Sequence, residues 1–223
     1  MSGLRLNRLV PATLDPAAAG ENDQATSTAD RLLAGAADLF RRKGYAATTT
    51  RELSALLGIQ NASLYYHMEK KEDLLFKLCV STLEDVAKVF KSCLAETSDP
   101  IEQLKLIMLR YTTIALQDRD RHATMLIEIR ALSDERRNKV VELRDKNVAL
   151  VRRTITAAQK AGQLRPDIKP KYLALALFNL LNWSIFWYRP DGELTPETIA
   201  TIMSSIYLDG AAAKAKSSRN TRS

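Results

Sequence analysis

Between residues 28 and 210 the apolar positions recur at three- and four-residue intervals, the period of an α-helix that turns one face to a core. Leu32, Leu33, Ala36, Leu39 and Phe40 form one such stripe, and Gly44 stands where a left-handed residue ends a helix. Thr49 and Glu52 have the Thr-x-x-Glu spacing of a capping box and open a short second helix that stops at Gly58. A third runs from about Asn61 to His67. A fourth starts near Lys71, where Glu72 and Asp73 suit the positive end of the helix dipole, and reaches about Ala95.

Asp99-Pro100 is an N-cap followed by proline at the first helical position, and it starts a fifth helix toward Gln117. The patterns over 121–132 and 134–161 give two more, the second stopped by Gly162. Pro170 opens an apolar helix through Trp187, Arg189-Pro190-Asp191-Gly192 makes a turn, and Thr195-Pro196 caps a last helix with Ile199, Ile202, Met203 and Ile206 on one face. The count is nine helices. No run of alternating β-branched residues is bounded by turn signals, so the fold class is all-α.

The two ends read differently. Residues 1–27, with Pro11, Pro16, Gly20 and many small side chains, lack any period and are expected to form a mobile arm. Residues 211–223 carry Lys214, Lys216, Arg219 and Arg222 without an acid and are expected to be a disordered basic tail. The chain has 223 residues and a net charge of +7, a balance that favours polyanions. That total says little about where a polyanion would bind. Residues 28–77 hold eight basic and six acidic groups, a net of +2, whereas the tail alone holds +4.

Cys79 and Cys93 lie fourteen residues apart with no second pair, which excludes a disulfide framework and a CxxC site and fits free buried thiols. Arg5 and Arg8 are not followed by a continuous apolar stretch, so no secretory signal is visible. The longest apolar run, Leu173 to Trp187, is broken by Asn179, Asn182 and Ser184 and is too short and polar to span a bilayer. The expected location is the cytoplasm, with no membrane partner.

Chemistry concentrates between Thr48 and Met68. A helix of about two turns ends at Gly58, the next begins about three residues later, and Gly58 permits the positive φ of a sharp inter-helix turn. Leu53, Leu56 or Leu57, Ile59 and Leu64 supply the wedge that fixes the crossing angle, and Ser54 is small enough for close approach. The second of these helices carries Asn61, Ser63, Tyr65, Tyr66 and His67, groups that hydrogen-bond base edges or phosphates with little net charge. Such a helix fits the major groove of double-stranded DNA, where an asparagine pairs bidentately with adenine.

The stretch from Thr48-Thr49-Thr50-Arg51-Glu52-Leu53 through Gly58 to Leu64-Tyr65-Tyr66-His67 and Lys70-Lys71-Glu72-Asp73-Leu74-Leu75 resembles the DNA-binding domain of the TetR family of bacterial repressors. The likeness covers about residues 28 to 77. It implies that Thr50 and Arg51 touch phosphates and sometimes bases, that Gln60, Asn61, Ala62 and Ser63 read bases, and that Tyr65, Tyr66 and His67 meet the backbone or nearby bases. Lys71 matches a phosphate-binding lysine. Gln60 departs from the Ser or Thr of many members, which leaves the third helix a poorer N-cap. Two plainer readings stay open: Tyr65 packing against the first helix, and His67 as an ordinary surface histidine. Ser63 and His67 at i, i+4 lack a third orienting group, so catalysis is not indicated.

The resemblance divides the chain into a helix-turn-helix domain over 28–75 and a ligand-binding and dimerisation domain over 76–210. The run 173–187 is apolar nearly all round, so with the helix over 196–209 it can serve both its own core and a second copy across a twofold axis. The rival is that it only completes a monomeric core. Dimerisation would set two recognition helices in successive major grooves about 34 Å apart on a palindromic operator. The segment from Asn182-Trp183 through Trp187-Tyr188-Arg189-Pro190-Asp191-Gly192 to Pro196-Glu197 is similar to one in family members that control fatty-acid, steroid or aromatic-acid breakdown, which often respond to acyl-CoA thioesters. An acyl-CoA or other apolar effector would draw on Arg130, Arg144 and Arg165 for its anion, and on Asn179, Asn182, Trp183 and Trp187 elsewhere. His122 has no ligand partners at metal spacing and reads as structural.

These features predict a homodimeric, ligand-responsive repressor without catalytic or metal residues. The alternatives are an architectural protein that binds DNA by charge alone and an all-α enzyme, for which no catalytic constellation is visible.

Overall fold

A computed structural model of the protein describes residues 28–60, 64, 65 and 68–213. Among them run eight α-helices: α1 (Thr28–Lys43), α2 (Thr50–Leu57), α3 (Lys71–Glu96), α4 (Pro100–Gln117), α5 (Arg119–Glu128), α6 (Asp134–Lys160), α7 (Pro170–Trp187) and α8 (Pro196–Ala211). The sequence suggests nine. The difference is the helix expected over 61–67, most of which lies outside the described residues, as does the expected arm at 1–27. At its edges the Leu64 N–H donates to the Gln60 carbonyl and the Met68 N–H to the Leu64 carbonyl, each at 3.2 Å, the i to i−4 step of an α-helix.

The helix ends follow local chemistry. Thr49 and Glu52 form a complete capping box: the Thr49 hydroxyl accepts the Glu52 N–H at 3.2 Å and the Glu52 carboxylate accepts the Thr49 N–H at 2.9 Å. The Lys43 ammonium, with these Thr49 donors, holds the exposed Glu52 carboxyl at about 2. Asp99 accepts from Ile101 and Glu102 at the start of α4, and Thr195 from Thr198 at the start of α8. The helix expected over 121–132 begins at Arg119 and ends at Glu128. A 3-10 turn, Ile129–Ala131, completes it.

The expected tail also needs correction at its start. The Ala211 carbonyl accepts the Arg165 N–H at 2.9 Å, Ala212 pairs with Leu164 in an isolated antiparallel bridge, and the Ala213 N–H donates to the Gln163 carbonyl at 3.3 Å. The loop after α6 thus offers backbone partners that carry the chain in register to residue 213. Residues 214–223, which hold all four tail cations, lie outside the described residues.

Two apolar cores organise the helices. Phe40, Leu53, Leu64, Leu75 and Leu78 centre the first, formed by α1, α2 and the opening half of α3. Met125, Leu132 and Val140 reach into it from α5, the segment before α6, and α6. The second core gathers the far half of α3 with α4, α6, α7 and α8 around Phe90, Ile107, Ile155 and Leu177. Helix α3 therefore belongs to both. Cys79 and Cys93 are free and buried, one in each core, and burial pushes the Cys79 thiol up to about 12, which makes it inert. No described helix is long and apolar enough to cross a membrane.

His122 sits on α5 with 4% of its surface exposed. Its Nδ1 lies 3.1 Å from the Asp118 carbonyl and its ring meets the Tyr111 ring edge-on. Burial lowers its pKa below the ordinary 6.5. Below pH 6.5 the unfolded chain therefore takes up a proton that the folded chain refuses. The contribution to stability is complete above 6.5 and is lost as pH falls toward the folded value. The melting temperature should fall as pH drops below 6.5, and His122→Gln should flatten that dependence. Parallel melting curves for the two proteins across that range would remove His122 as the cause.

Candidate functional site

Helix α2 and the chain that follows it fold as a helix-turn-helix because a single residue reverses the backbone. Gly58 has φ 65°, and its N–H and that of Ile59 fold back onto the Ala55 and Ser54 carbonyls at 3.2 and 3.0 Å. A side chain at Gly58 would meet nothing, so the demand there is conformational. Leu53 and Leu64 are fully buried on either side of the turn, and Ile59 packs half-buried against the same core. Leu56, one of two candidates for that wedge, is 47% exposed and does not fill it. The side chain of Leu57 lies outside the described residues.

The surface opened by this turn carries Thr50, half-buried in the first turn of α2, with Arg51, Gln60 and Tyr65 exposed. Tyr65 is 52% exposed, so it is not packed into the core. Asn61, Ala62, Ser63, Tyr66 and His67 lie outside the described residues.

In the second half of the molecule a chamber of about 600 Å³ opens between α3, α4, α5, α6 and α7. Val86, Met125, Leu126, Val148, Leu175 and Phe178 make most of its wall apolar. Arg144, Arg152 and Lys171 line it and are exposed, which places three cations where it meets solvent. Arg144 is partly offset by Asp145 at 3.3 Å. Asn147 closes one side, its amide donating to the Leu83 carbonyl at 2.9 Å across α3 and α6. Asn182 accepts a hydrogen bond from the Tyr111 hydroxyl.

Of the seven side chains expected at an effector, the structure brings Arg144, Asn179 and Asn182 to this chamber. Arg130 lies elsewhere, exposed on the 3-10 turn. Trp183 and Trp187 also lie outside it, 67% and 43% exposed on the outward side of α7. Arg165 pairs with Asp167 at 2.6 Å, away from the chamber. Arg152, Lys171, Tyr111 and Phe178 line the chamber without having been expected there. Arg152 carried a signal, being two turns beyond Arg144 on one face of α6. Tyr111 carried none.

The outward side of α7 and α8 is apolar. Tyr172, Trp183, Phe186 and Trp187 on α7, and Ile202 and Ile206 on α8, are all exposed, Trp183 and Phe186 with ring centroids 5.3 Å apart. A row of large exposed apolar groups on two adjacent helices marks a contact surface.

The two halves of the molecule meet at the start of α3. The Lys71 ammonium donates to the carbonyls of Tyr45, Ala46 and Thr48 at 2.7, 3.3 and 2.6 Å and lies 4.4 Å from the centre of the Tyr45 ring. All three of its protons are thus committed inside the domain, and burial lowers its pKa. On the opposite side Glu72 accepts the Ser133 N–H at 2.8 Å, and Asp73 accepts from Arg136 at 2.6 Å. Glu128 on α5 accepts the Tyr45 N–H at 3.0 Å. Replacing Lys71 by Met leaves those carbonyls without their donor and should lower unfolding stability by about 1.5–3 kcal/mol. Urea titration checks this, and an unchanged midpoint would assign the lysine to the surface alone.

Known proteins match the chain over most of its length. Residues 32–78 match the family model for bacterial regulatory proteins of the tetR family, and residues 97–211 match that for the tetracyclin repressor-like C-terminal domain. The chain is 30% identical over 205 residues to the HTH-type transcriptional repressor KstR2 of Rhodococcus jostii (strain RHA1), covering 89% of this chain and 98% of that protein. The solved structure of the regulator PfmR from Thermus thermophilus is 32% identical with a TM-score of 0.75, over 81% of this chain and 98% of the other. AibR, solved in complex with isovaleryl coenzyme A and operator DNA, is 27% identical with a TM-score of 0.72, over 80% and 96%. A helix-turn-helix head, an all-helical second core and these matches lead to one conclusion: the chain belongs to the tetR family of bacterial transcriptional regulators and is not an enzyme.

Proposed function

We propose that the protein is an effector-responsive repressor that binds a palindromic operator as a homodimer in the cytoplasm and is released by an apolar effector, of which an acyl-CoA thioester is the best chemical fit. The observation that carries this reading is the chamber: apolar walls for an acyl body, with Arg144, Arg152 and Lys171 at its mouth for an anionic group. AibR, solved in complex with isovaleryl coenzyme A and operator DNA, supports it by analogy. Thr50, Arg51, Gln60, Asn61, Ala62, Ser63, Tyr65, Tyr66 and His67 form the DNA-reading surface in this proposal. Lys71 supports that surface from behind by holding the loop between α1 and α2.

The effector acts by preferring one of two arrangements, so its leverage is its difference in affinity between them. Helix α6 is the element placed to convey that difference, because it lines the chamber and its N-terminus is tied to α3 through Ser133 and Arg136. The dimer forms through the exposed apolar sides of α7 and α8, where a second copy would cover Trp183 and Ile206. The competing reading is architectural binding by charge alone. It predicts that DNA binding collapses when random competitor DNA is added.

Two experiments test this reading. Footprinting of the operator should survive excess competitor, and Asn61→Ala should lose about 1–3 kcal/mol of discrimination between operator and random DNA. An equal loss on both DNAs would take base reading away from Asn61. The double variant Trp183→Glu, Ile206→Glu should run as a folded monomer by light scattering. With each half-site then bound separately, operator affinity should fall at least about 100-fold. A persistent dimer would move the interface elsewhere.

A further inference from the structure

Most of the chamber's polar groups are exposed at its mouth, and Asn147 spends its amide on the Leu83 carbonyl. Asn182 is different. It is half-buried, and its Oδ1 is occupied by the hydroxyl of Tyr111, a side chain only 4% exposed. The Tyr111 ring is fixed between Phe90 and Phe178, at centroid distances of 5.8 and 6.0 Å, so the direction of its hydroxyl is fixed too. Turning the amide over would set its NH₂ against that O–H and leave a buried phenol without an acceptor. With Oδ1 taken by the Tyr111 O–H, Nδ2 points away from Tyr111. Among the described residues no acceptor meets Nδ2, and it is not among the buried polar atoms sealed off without a partner, so it opens onto the chamber that Asn182 lines.

We infer that Asn182 is the chamber's specificity-determining donor and selects effectors that place a carbonyl oxygen against its Nδ2, with Tyr111 as the positioning residue. The inference rests on the chamber being the effector site. A pure hydrocarbon at this point would strip water from an N–H pair and return nothing, whereas a carbonyl restores the bond, so the site discriminates through an unpaired group. The spacing favours the carbonyl of a thioester. Lys171, at the mouth, and Asn182 stand eleven residues apart on one helix, about 16 Å at helical rise. The extended pantetheine arm of coenzyme A can span that distance. With its phosphates at Lys171 and Arg152, the thioester carbonyl comes level with Asn182.

The test compares octanoyl-CoA with its thioether counterpart S-octyl-CoA, which keeps the chain and the nucleotide and lacks only the carbonyl oxygen. Calorimetry on the full-length protein should give a preference for the thioester of about ten-fold, the worth of one well-made hydrogen bond. In Asn182→Leu, similar in volume, the preference should vanish, and thioether affinity should rise because no amide is left to lose its water. Tyr111→Phe should reduce it by freeing the amide to rotate, and Asn182→Asp should invert it. A full preference retained in Asn182→Leu, or no preference in the wild type, overturns the assignment while leaving the chamber as the binding site. Binding of neither compound would overturn the chamber reading and the assignment with it. Melting temperatures of Asn182→Leu and Tyr111→Phe keep a folding defect apart from a binding defect.

Discussion

The arrangement turns on one ammonium group. Lys71 puts three protons on three carbonyls of the loop between α1 and α2, and no other described side chain bonds to more than one of them. The loop meets just one of those carbonyls itself, Tyr45 through the Thr48 N–H at 3.3 Å, because Gly44 takes the chain into φ 84° and the segment up to Thr49 has no helical ladder. A neutral donor such as a serine would meet one acceptor at most. A compact cation with three protons meets three, and Tyr45 covers it with a ring face at modest extra gain. Because Lys71 is also the first residue of α3, the angle of the helix-turn-helix unit is set by the helix that runs on into the second core.

A second constraint works through the chamber. Protein interiors close-pack, so an open volume of about 600 Å³ needs walls that resist collapse. Here the walls are tied at points around the opening: Asn147 to the Leu83 carbonyl, Tyr111 to Asn182, and the Phe90, Tyr111 and Phe178 rings against one another. The charged groups stay at the mouth, where water keeps their desolvation small. The less exposed polar groups of the lining, Tyr111, Asn147 and Asn182, are neutral and hydrogen-bonded, which is the least costly way to place polarity in an apolar room.

Much of the fold was legible because helix ends are local. Thr49, Glu52, Asp99, Thr195, Gly58 and Gly162 act within one turn of themselves, and each sits where the spacing of its neighbours predicts. The failures have a common cause as well. Periodicity reveals that a helix has an apolar side without revealing which helix that side meets. Size and company point Trp183 and Trp187 toward an effector, yet on α7 they stand just past Asn179 on the neighbouring, solvent-facing strip of the helix, outside the chamber. Tyr111 reads as one more apolar position on α4 until α7 brings Asn182 to its hydroxyl, 71 residues away in the chain. Lys71 illustrates a third limit. Sequence places its Cα at a helix N-terminus, where a phosphate would suit, but four rotatable bonds decide where the ammonium goes, and unpaired carbonyls nearby claim it.

The junction between the two cores combines two kinds of contact with different consequences. Met125, Leu132 and Val140 bury apolar surface against the first core, which holds the halves together and is insensitive to small rotations because apolar contact has no direction. The Arg136–Asp73 pair, the Ser133–Glu72 bond and the Glu128–Tyr45 bond are directional and lie near the surface, where each contributes little to overall stability. Attachment is thereby separated from orientation. A rotation of α5 or α6 can exchange the directional bonds for water at small cost while the apolar contact persists. An effector that reshapes the chamber need then supply only the difference between two orientations, a far smaller quantity than the energy that keeps the domains joined. In the proposed effector response, that separation is what would let one small molecule in the second core matter to the first.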